Sequence, residues 1–208
     1  MTFTRVKICG LTRPQDVAAA VAAGADALGF VFVPGSPRCL DEATATALVR
    51  PIPAFVSRVG LFQDQDAERV RQVLQKVPLS LLQFHGSEGA DFCRQFGRPY
   101  IKAVSPGAGT TVADAEAAYP DAAAILVDSH EPGGHGGTGR VLTWQGLSAG
   151  SLPLILAGGL NPANVATAVN LVQPWAVDVS SGVESAPGIK DANAIRRFIE
   201  EARGGQRS

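Results

Sequence analysis

The chain is poor in cysteine, with only Cys9, Cys39 and Cys93 among 208 residues. Three is an odd number, the spacings are wide and no CxxC pair occurs, which excludes a disulfide framework and fits a reducing, cytoplasmic setting. An excess charge of one sign is also missing, since 18 Lys+Arg face 19 Asp+Glu. Proteins whose main partner is nucleic acid usually carry a basic face, so nucleic acid is not expected as a partner, and neither is an acidic tail. No apolar run approaches the ~18 residues of a membrane span. The opening MTFTRVKICG has no basic stretch leading into an apolar one, so no membrane role and no secretory signal are expected. No His/Asp/Glu/Cys spacing resembles a zinc cluster, and no GxGxxG or GxxxxGK[ST] occurs, so neither a metal nor a nucleotide cofactor is called for.

What the chain does have is apolar material, 46% of its residues, enough for one sizeable core. Short aliphatic or β-branched runs at 5–9, 27–32, 57–62, 80–84, 100–104, 124–128, 154–157 and 176–179 read as eight strands. Most are apolar on both faces, as in a parallel sheet covered by helices. Between them lie helix signals. Thr12 with Pro14 and Gln15 predicts an N-cap, an early proline and a capping-box partner, and Asn161 with Pro162 repeats the device. Val70, Val73, Leu74 and Val77 form one stripe, and Ile195, Phe198, Ile199 and Ala202 another. The weakest helices fall after strands five and six, where only residues 111–119 and 143–147 are available. Residues 10–21 (GLTRPQDVAAAV) and 159–169 (GLNPANVATAV) nearly superimpose, either as two similar strand-to-helix turns or as a half-barrel repeat. Eight units in 208 residues average 26 each, which predicts an α/β fold. The expected architecture is a single-domain (β/α)8 barrel over residues 1–208, with short or irregular helices after strands five and six and a frayed tail at 204–208. A doubly wound open sheet would rarely need eight strands at this length.

In such a barrel the chemistry gathers where strands end. The strand ends here read Cys9-Gly10, Gln83-Phe84-His85-Gly86, Val127-Asp128-Ser129, Ala157-Gly158-Gly159 and Asp178-Val179-Ser180-Ser181-Gly182, and the second loop carries Pro34-Gly35-Ser36-Pro37-Arg38. Gly158, Gly159, Ser180 and Ser181 follow the last two strands, where phosphate is commonly held; ordinary tight turns are the alternative. Cys9 is a small core hydrophobe or a base at the rim. Lys7, two residues earlier, faces the same side and either lowers the thiol pKa or is bound to an inward carboxylate. Asp128 closes an apolar strand and suits a general acid, or caps the next turn. Arg38 suits bidentate capture of a carboxylate, or is merely solvated. His85 either contacts substrate or supports a neighbour, Cys39 and Cys93 read as structural, and His130 and His135 as surface residues.

In order from Val6 to Asp191, the segments VKICGLTRPQDV, GADALGFVF, GSPR, VGLF, LLQFHG, IKAV, LVDS, GGTG, LAGGLNPANV, VDVSSGVE and PGIKD closely resemble the phosphoribosylanthranilate isomerase family of tryptophan biosynthesis. The resemblance covers nearly the whole chain. It implies a cofactor-free TIM barrel that converts N-(5-phosphoribosyl)anthranilate to 1-(2-carboxyphenylamino)-1-deoxyribulose 5-phosphate by an Amadori rearrangement. It further implies Cys9 as general base, Asp128 as general acid, Arg38 on the anthranilate carboxylate, and Gly158, Gly159, Ser180 and Ser181 on the phosphate. His85 and Asp178 match family residues close to the substrate. The stretch GGHGGTG, with His135, departs slightly from the family pattern. The nearest rival is the histidine-pathway isomerase, or a dual-substrate relative, which by resemblance places Asp where this chain has Cys9. A non-catalytic sugar-phosphate-binding barrel would keep the phosphate loops without needing Cys9 and Asp128 together. A monomer is expected because no long apolar helix face is left over, with a dimer through the βα loops as the alternative.

Overall fold

The computed structural model describes residues 3–105, 111–128 and 150–204. The strands are β1 (Arg5–Ile8), β2 (Ala27–Val31), β3 (Ser57–Phe62), β4 (Leu81–Phe84), β5 (Tyr100–Val104), β6 (Ala124–Val127), β7 (Leu154–Leu156) and β8 (Ala176–Val179). They pair in sequence order, all parallel, and close into a barrel through β1 against β8, with Lys7 opposite Asp178. Described helices follow most strands: α1 (Pro14–Ala22), α2 (Glu42–Val49), α3 (Ala67–Lys76), α4 (Ala90–Arg94), α5 (Val112–Ala118), α6 (Val165–Val172) and α7 (Ala192–Gly204). After β8 come a 3-10 turn (Ser181–Val183) and a two-stranded hairpin, β9 (Glu184–Ala186) with β10 (Ile189–Lys190).

Strand alternation sends successive side chains to opposite faces and creates two cores. Outward residues such as Ile8, Phe30, Phe62, Phe84, Tyr100, Ile125 and Val177 pack under the helices. Inward residues Ile101, Ala103, Ala124, Leu126, Ile155, Ala157 and Ala176 form a separate cluster inside the barrel. On β1, β4 and β8 the same inward parity falls on Lys7, Gln83 and Asp178, so the interior also holds buried polar side chains. Continuing the inward parity one step past the strands gives Cys9, His85, Asp128 and Ser180, all at the C-terminal rim.

Local chemistry explains most helix starts. Asp41 and Asp66 accept hydrogen bonds from Thr44 N and Arg69 N, each at 2.7 Å, and Thr111 forms a capping box with Asp114. Two expected caps are corrected. The N-cap of α1 is Arg13, not Thr12, because the Thr12 hydroxyl donates instead to Gly188 O at 2.5 Å across to the β9–β10 hairpin. Gln15 therefore closes no capping box there. The N-cap of α6 is Asn164, not Asn161, whose Oδ1 is taken by Ala163 N at 2.8 Å in a tight turn that delays the helix. The expected helix at 143–147, together with Ser129, His130, His135 and the tail beyond Gly204, lies outside the described residues. Gly204 itself ends α7.

Candidate active site at the barrel rim

Cys9 follows β1 directly, and its amide donates to Val179 O at 2.8 Å, which pins it beside β8. Its side chain faces β2, where a Cβ on Gly29 would lie only 2.7 Å from Cys9 Sγ. Gly29 thus makes the space the thiol occupies. Next to it, Gly10 adopts a left-handed φ of 74°, and the Arg38 side chain crosses so close above it that a Cβ there would overlap Arg38 Cδ.

Beneath the thiol lies a buried ion pair, Lys7 Nζ to Asp178 Oδ1 at 2.8 Å. Of the two readings open for Lys7, pairing with an inward carboxylate is the one observed. The thiol feels both partners. Burial pushes the Cys9 thiol above its ordinary range, and the attraction of Lys7 does not offset it. The expectation of a lowered thiol pKa is therefore corrected: desolvation outweighs a cation whose charge Asp178 already balances. Lys7 is held well above the ordinary lysine range, because attraction to Asp178 and to the Cys9 side outweighs its own desolvation.

Across the rim, Asp128 follows β6, with its amide bonded to Val104 O at 3.0 Å. His85 Nε2 lies 3.5 Å from Asp128 Oδ2, and the Gln83 side-chain amide meets His85 Nδ1 at 3.1 Å and orients the ring. His85 thus stands between the two readings, supporting Asp128 while partly exposed at the rim. Asp128, Gly158, Gly159, Asp178, Ser180 and Ser181 all line one small open pocket. Gly158 and Gly159 take left-handed φ values of 83° and 67°, which turn the chain tightly after β7. Gly182 lets the loops after β7 and β8 touch backbone to backbone, since a Cβ there would overlap Leu160 O. Six of the nine residues expected from the sequence therefore share this pocket. Cys9, Arg38 and His85 stand beside it.

Arg38 is not merely solvated. Its Nε and Nη2 donate to Glu184 Oε1 and Oε2 at 2.8 and 2.6 Å. Glu184 also accepts from Lys190 Nζ at 2.8 Å, and Lys190 donates to Ser180 O at 3.0 Å. Burial alone would raise the Glu184 carboxyl, but the hydrogen bonds from Arg38 and Lys190 outweigh it and hold it below the ordinary carboxylate range. Glu184, Lys190 and Gln83 had no part assigned from the sequence. The signal was there for the first two: opposite charges set among the Ala, Pro and Gly of the segment that follows the SSG turn each need a partner. Among the described residues, no group of three or more His, Cys, Asp or Glu could hold a metal ion. Cys93 is buried in α4 and Cys39 is exposed in the second loop.

Comparison with known proteins gives one consistent answer. The family model described as N-(5'phosphoribosyl)anthranilate (PRA) isomerase matches residues 6–201. N-(5'-phosphoribosyl)anthranilate isomerase of Hahella chejuensis is 50% identical over 198 residues, which is 95% of this chain and 93% of that protein. The crystal structure of phosphoribosyl anthranilate isomerase from Thermotoga maritima superposes with a TM-score of 0.83 at 40% identity, over 97% of this chain and 99% of that one. A phosphoribosyl anthranilate isomerase in complex with reduced 1-(o-carboxyphenylamino)-1-deoxyribulose 5-phosphate superposes with a TM-score of 0.80 at 38% identity, over 97% and 99%.

Proposed function

The chain belongs to the N-(5'-phosphoribosyl)anthranilate isomerase family, and from that premise we propose how its own residues carry the reaction. The activity is the aldose–ketose isomerisation of N-(5'-phosphoribosyl)anthranilate, a step of tryptophan biosynthesis. The observation that supports the residue roles is the convergence, at one rim, of a thiol, a carboxyl group and a glycine-lined pocket.

The phosphate enters the pocket between Gly158–Gly159 and Ser180–Ser181, where backbone N–H groups and two hydroxyls can surround it. The anthranilate carboxylate meets the remaining N–H edge of Arg38. Asp128, in its acid form, gives a proton to the furanose ring oxygen. The C1–O bond breaks as the anilino nitrogen supplies its lone pair, leaving an iminium at C1. The thiolate of Cys9 then removes the proton from C2, and the C2–H electron pair moves toward the iminium to give an enolamine. Loss of the C2 hydroxyl proton and protonation at C1 complete the ketone. The electron sink is the substrate's own iminium. A thiol with a raised pKa is a scarce but strong base, and Lys7 is placed to stabilise the thiolate as it forms. Asp178 keeps Lys7 in place, and His85 holds Asp128.

The test is turnover followed by loss of substrate fluorescence. Cys9→Ala and Asp128→Asn should each lower kcat by at least ~10²-fold, the usual scale of a lost acid or base, while phosphate binding survives. Near-normal kcat in either variant removes that residue from its role.

A further inference from the structure

We propose that Glu184 is a positioning residue that fixes Arg38 relative to the phosphate loop and thereby sets the spacing at which the enzyme reads its substrate's two anionic ends. The proposal rests on the reading that Arg38 receives the carboxylate. Arg38 sits on a Gly/Pro loop after β2 whose own hydrogen bonds, Ser36 N to Val33 O at 3.2 Å, Cys39 N to Ser36 O at 3.0 Å and the Arg38 amide to Ser36 Oγ at 3.2 Å, fix the backbone and leave the long side chain to be placed by something else. A long, free arginine on such a loop would sample many rotamers, and binding would have to order it.

Glu184 removes that freedom. Its carboxylate takes the Nε and Nη2 edge of the guanidinium in a two-pronged contact, and its side chain is only 5% exposed. The Nη1 edge keeps no hydrogen-bond partner among the described residues, so the donors that face a ligand remain available. The same carboxylate holds Lys190, whose side chain is fully buried and whose Nζ also donates to Ser180 O and lies 3.4 Å from Ser180 Oγ. A continuous path therefore runs from Arg38 through Glu184 and Lys190 to Ser180, a residue of the phosphate pocket. The β9–β10 hairpin that presents Glu184 and Lys190 is itself tied down. Lys190 N bonds Asp16 Oδ2 at 3.1 Å, Arg13 Nη2 bonds Lys190 O at 3.2 Å, and Gly188 packs closely against Pro37 O in the arginine's own loop.

Charge points the same way. Two cations share one anion, so the cluster keeps one positive charge for a ligand, while the carboxylate needed to order it stays covered. A substrate with a carboxylate and a phosphate at the right separation meets both anchors already placed. One lacking the carboxylate gains nothing from the arrangement.

The experiment is a double-mutant cycle on Glu184→Gln and Arg38→Ala, read as KM and kcat for phosphoribosylanthranilate and as inhibition by inorganic phosphate. Glu184→Gln should raise KM about tenfold with kcat changed less than about threefold, because it loosens an anchor without touching the reacting atoms. In the Arg38→Ala background the same substitution should add less than about twofold, because residues that act through one another are non-additive. Phosphate inhibition should move less than KM does. Arg38→Lys keeps both Glu184 and the charge but loses the fork, so it should reproduce the KM rise even if Glu184→Gln folds poorly. Equal factors in both backgrounds, or an unchanged KM in Glu184→Gln, overturn the proposal alone. An unchanged KM in Arg38→Ala overturns it together with the reading of Arg38 as carboxylate anchor.

Discussion

Gly29→Ala is the sharpest single test of where the thiol must stand. The methyl carbon it adds would lie 2.7 Å from Cys9 Sγ, 3.0 Å from Cys9 Cα and 3.2 Å from Cys9 Cβ. Carbon and its neighbours rest comfortably at about 3.5–4.0 Å, so the sulfur must retreat by about 1 Å. Gly29 cannot yield instead, because its carbonyl accepts from Gly10 N and Leu11 N at 3.0 and 3.1 Å and its strand is paired on both sides. Overpacking of this kind costs about 1–3 kcal/mol of stability. The functional loss should be larger in proportion, since a misplacement of about 1 Å at a reacting group can cost about 10²-fold. Steady-state turnover should therefore show kcat down about 10²-fold with KM nearly unchanged, at a temperature where unfolding curves show the variant fully folded. Adding Cys9→Ala should remove the sulfur contact and recover part of the stability, since the contacts to Cα and Cβ remain, without recovering rate. A folded Gly29→Ala enzyme with kcat within about threefold of the parent would refute the claim that this sulfur's position matters.

Two further outcomes follow from burial. The Cys9 thiol, raised by desolvation, should ionise above the ordinary ~8.5, measured as the thiolate absorbance lost in Cys9→Ala; a midpoint below ~8 would contradict it. The linkage sign follows, because the unfolded chain releases this proton first. The stability due to the neutral thiol is full below ~8.5 and is lost as pH climbs from there toward the folded pKa. Glu88→Ala should destabilise by about 3 kcal/mol, or about 6–12 °C in Tm, because it leaves buried Lys102 on the Phe84 and Gly86 carbonyls without a counter-charge and frees two backbone amides. Glu88 pairs with Lys102 Nζ at 3.1 Å and accepts from Asp64 N and Gly86 N at 2.7 and 2.9 Å, so a Tm within 2 °C of the parent (about 1 kcal/mol or less) would deny that role.

The barrel was legible because a parallel sheet buried on both faces leaves uninterrupted apolar runs, and all eight were in the chain. Their ends were misplaced by one residue at most, as at Cys9, Phe32, Ser80, Asp128 and Ala157. The helix caps were less legible. Thr12 has the right chemistry for a cap, but a hairpin 176 residues away claims its hydroxyl. The same limit hid Glu184, whose partner Arg38 is 146 residues away in sequence. Parity and strand ends bring Cys9, His85, Asp128 and Ser180 together, because those follow from a period of two. The thiol's acidity could not be read, since a sequence gives the sign of Lys7 but neither the depth of burial nor the carboxylate that balances it.

The charge balance at the rim also explains why a thiol, rather than a carboxylate, suits position 9. Cys9 is 4% exposed, and the one cation directly beneath it is already paired with Asp178. A carboxylate in that place would add a second buried negative charge next to the first, with Lys7 left to serve both. Two such groups cannot both ionise without a large cost, so one would be held protonated and lost as a base. A thiol is neutral at rest, costs little to bury and, in the base role proposed for Cys9, acquires charge only as it takes the proton. On the roles proposed for Cys9 and Arg38, the positive excess of Arg38, Lys190 and Glu184 is then left for the substrate's carboxylate instead of being spent on a charged side chain at position 9.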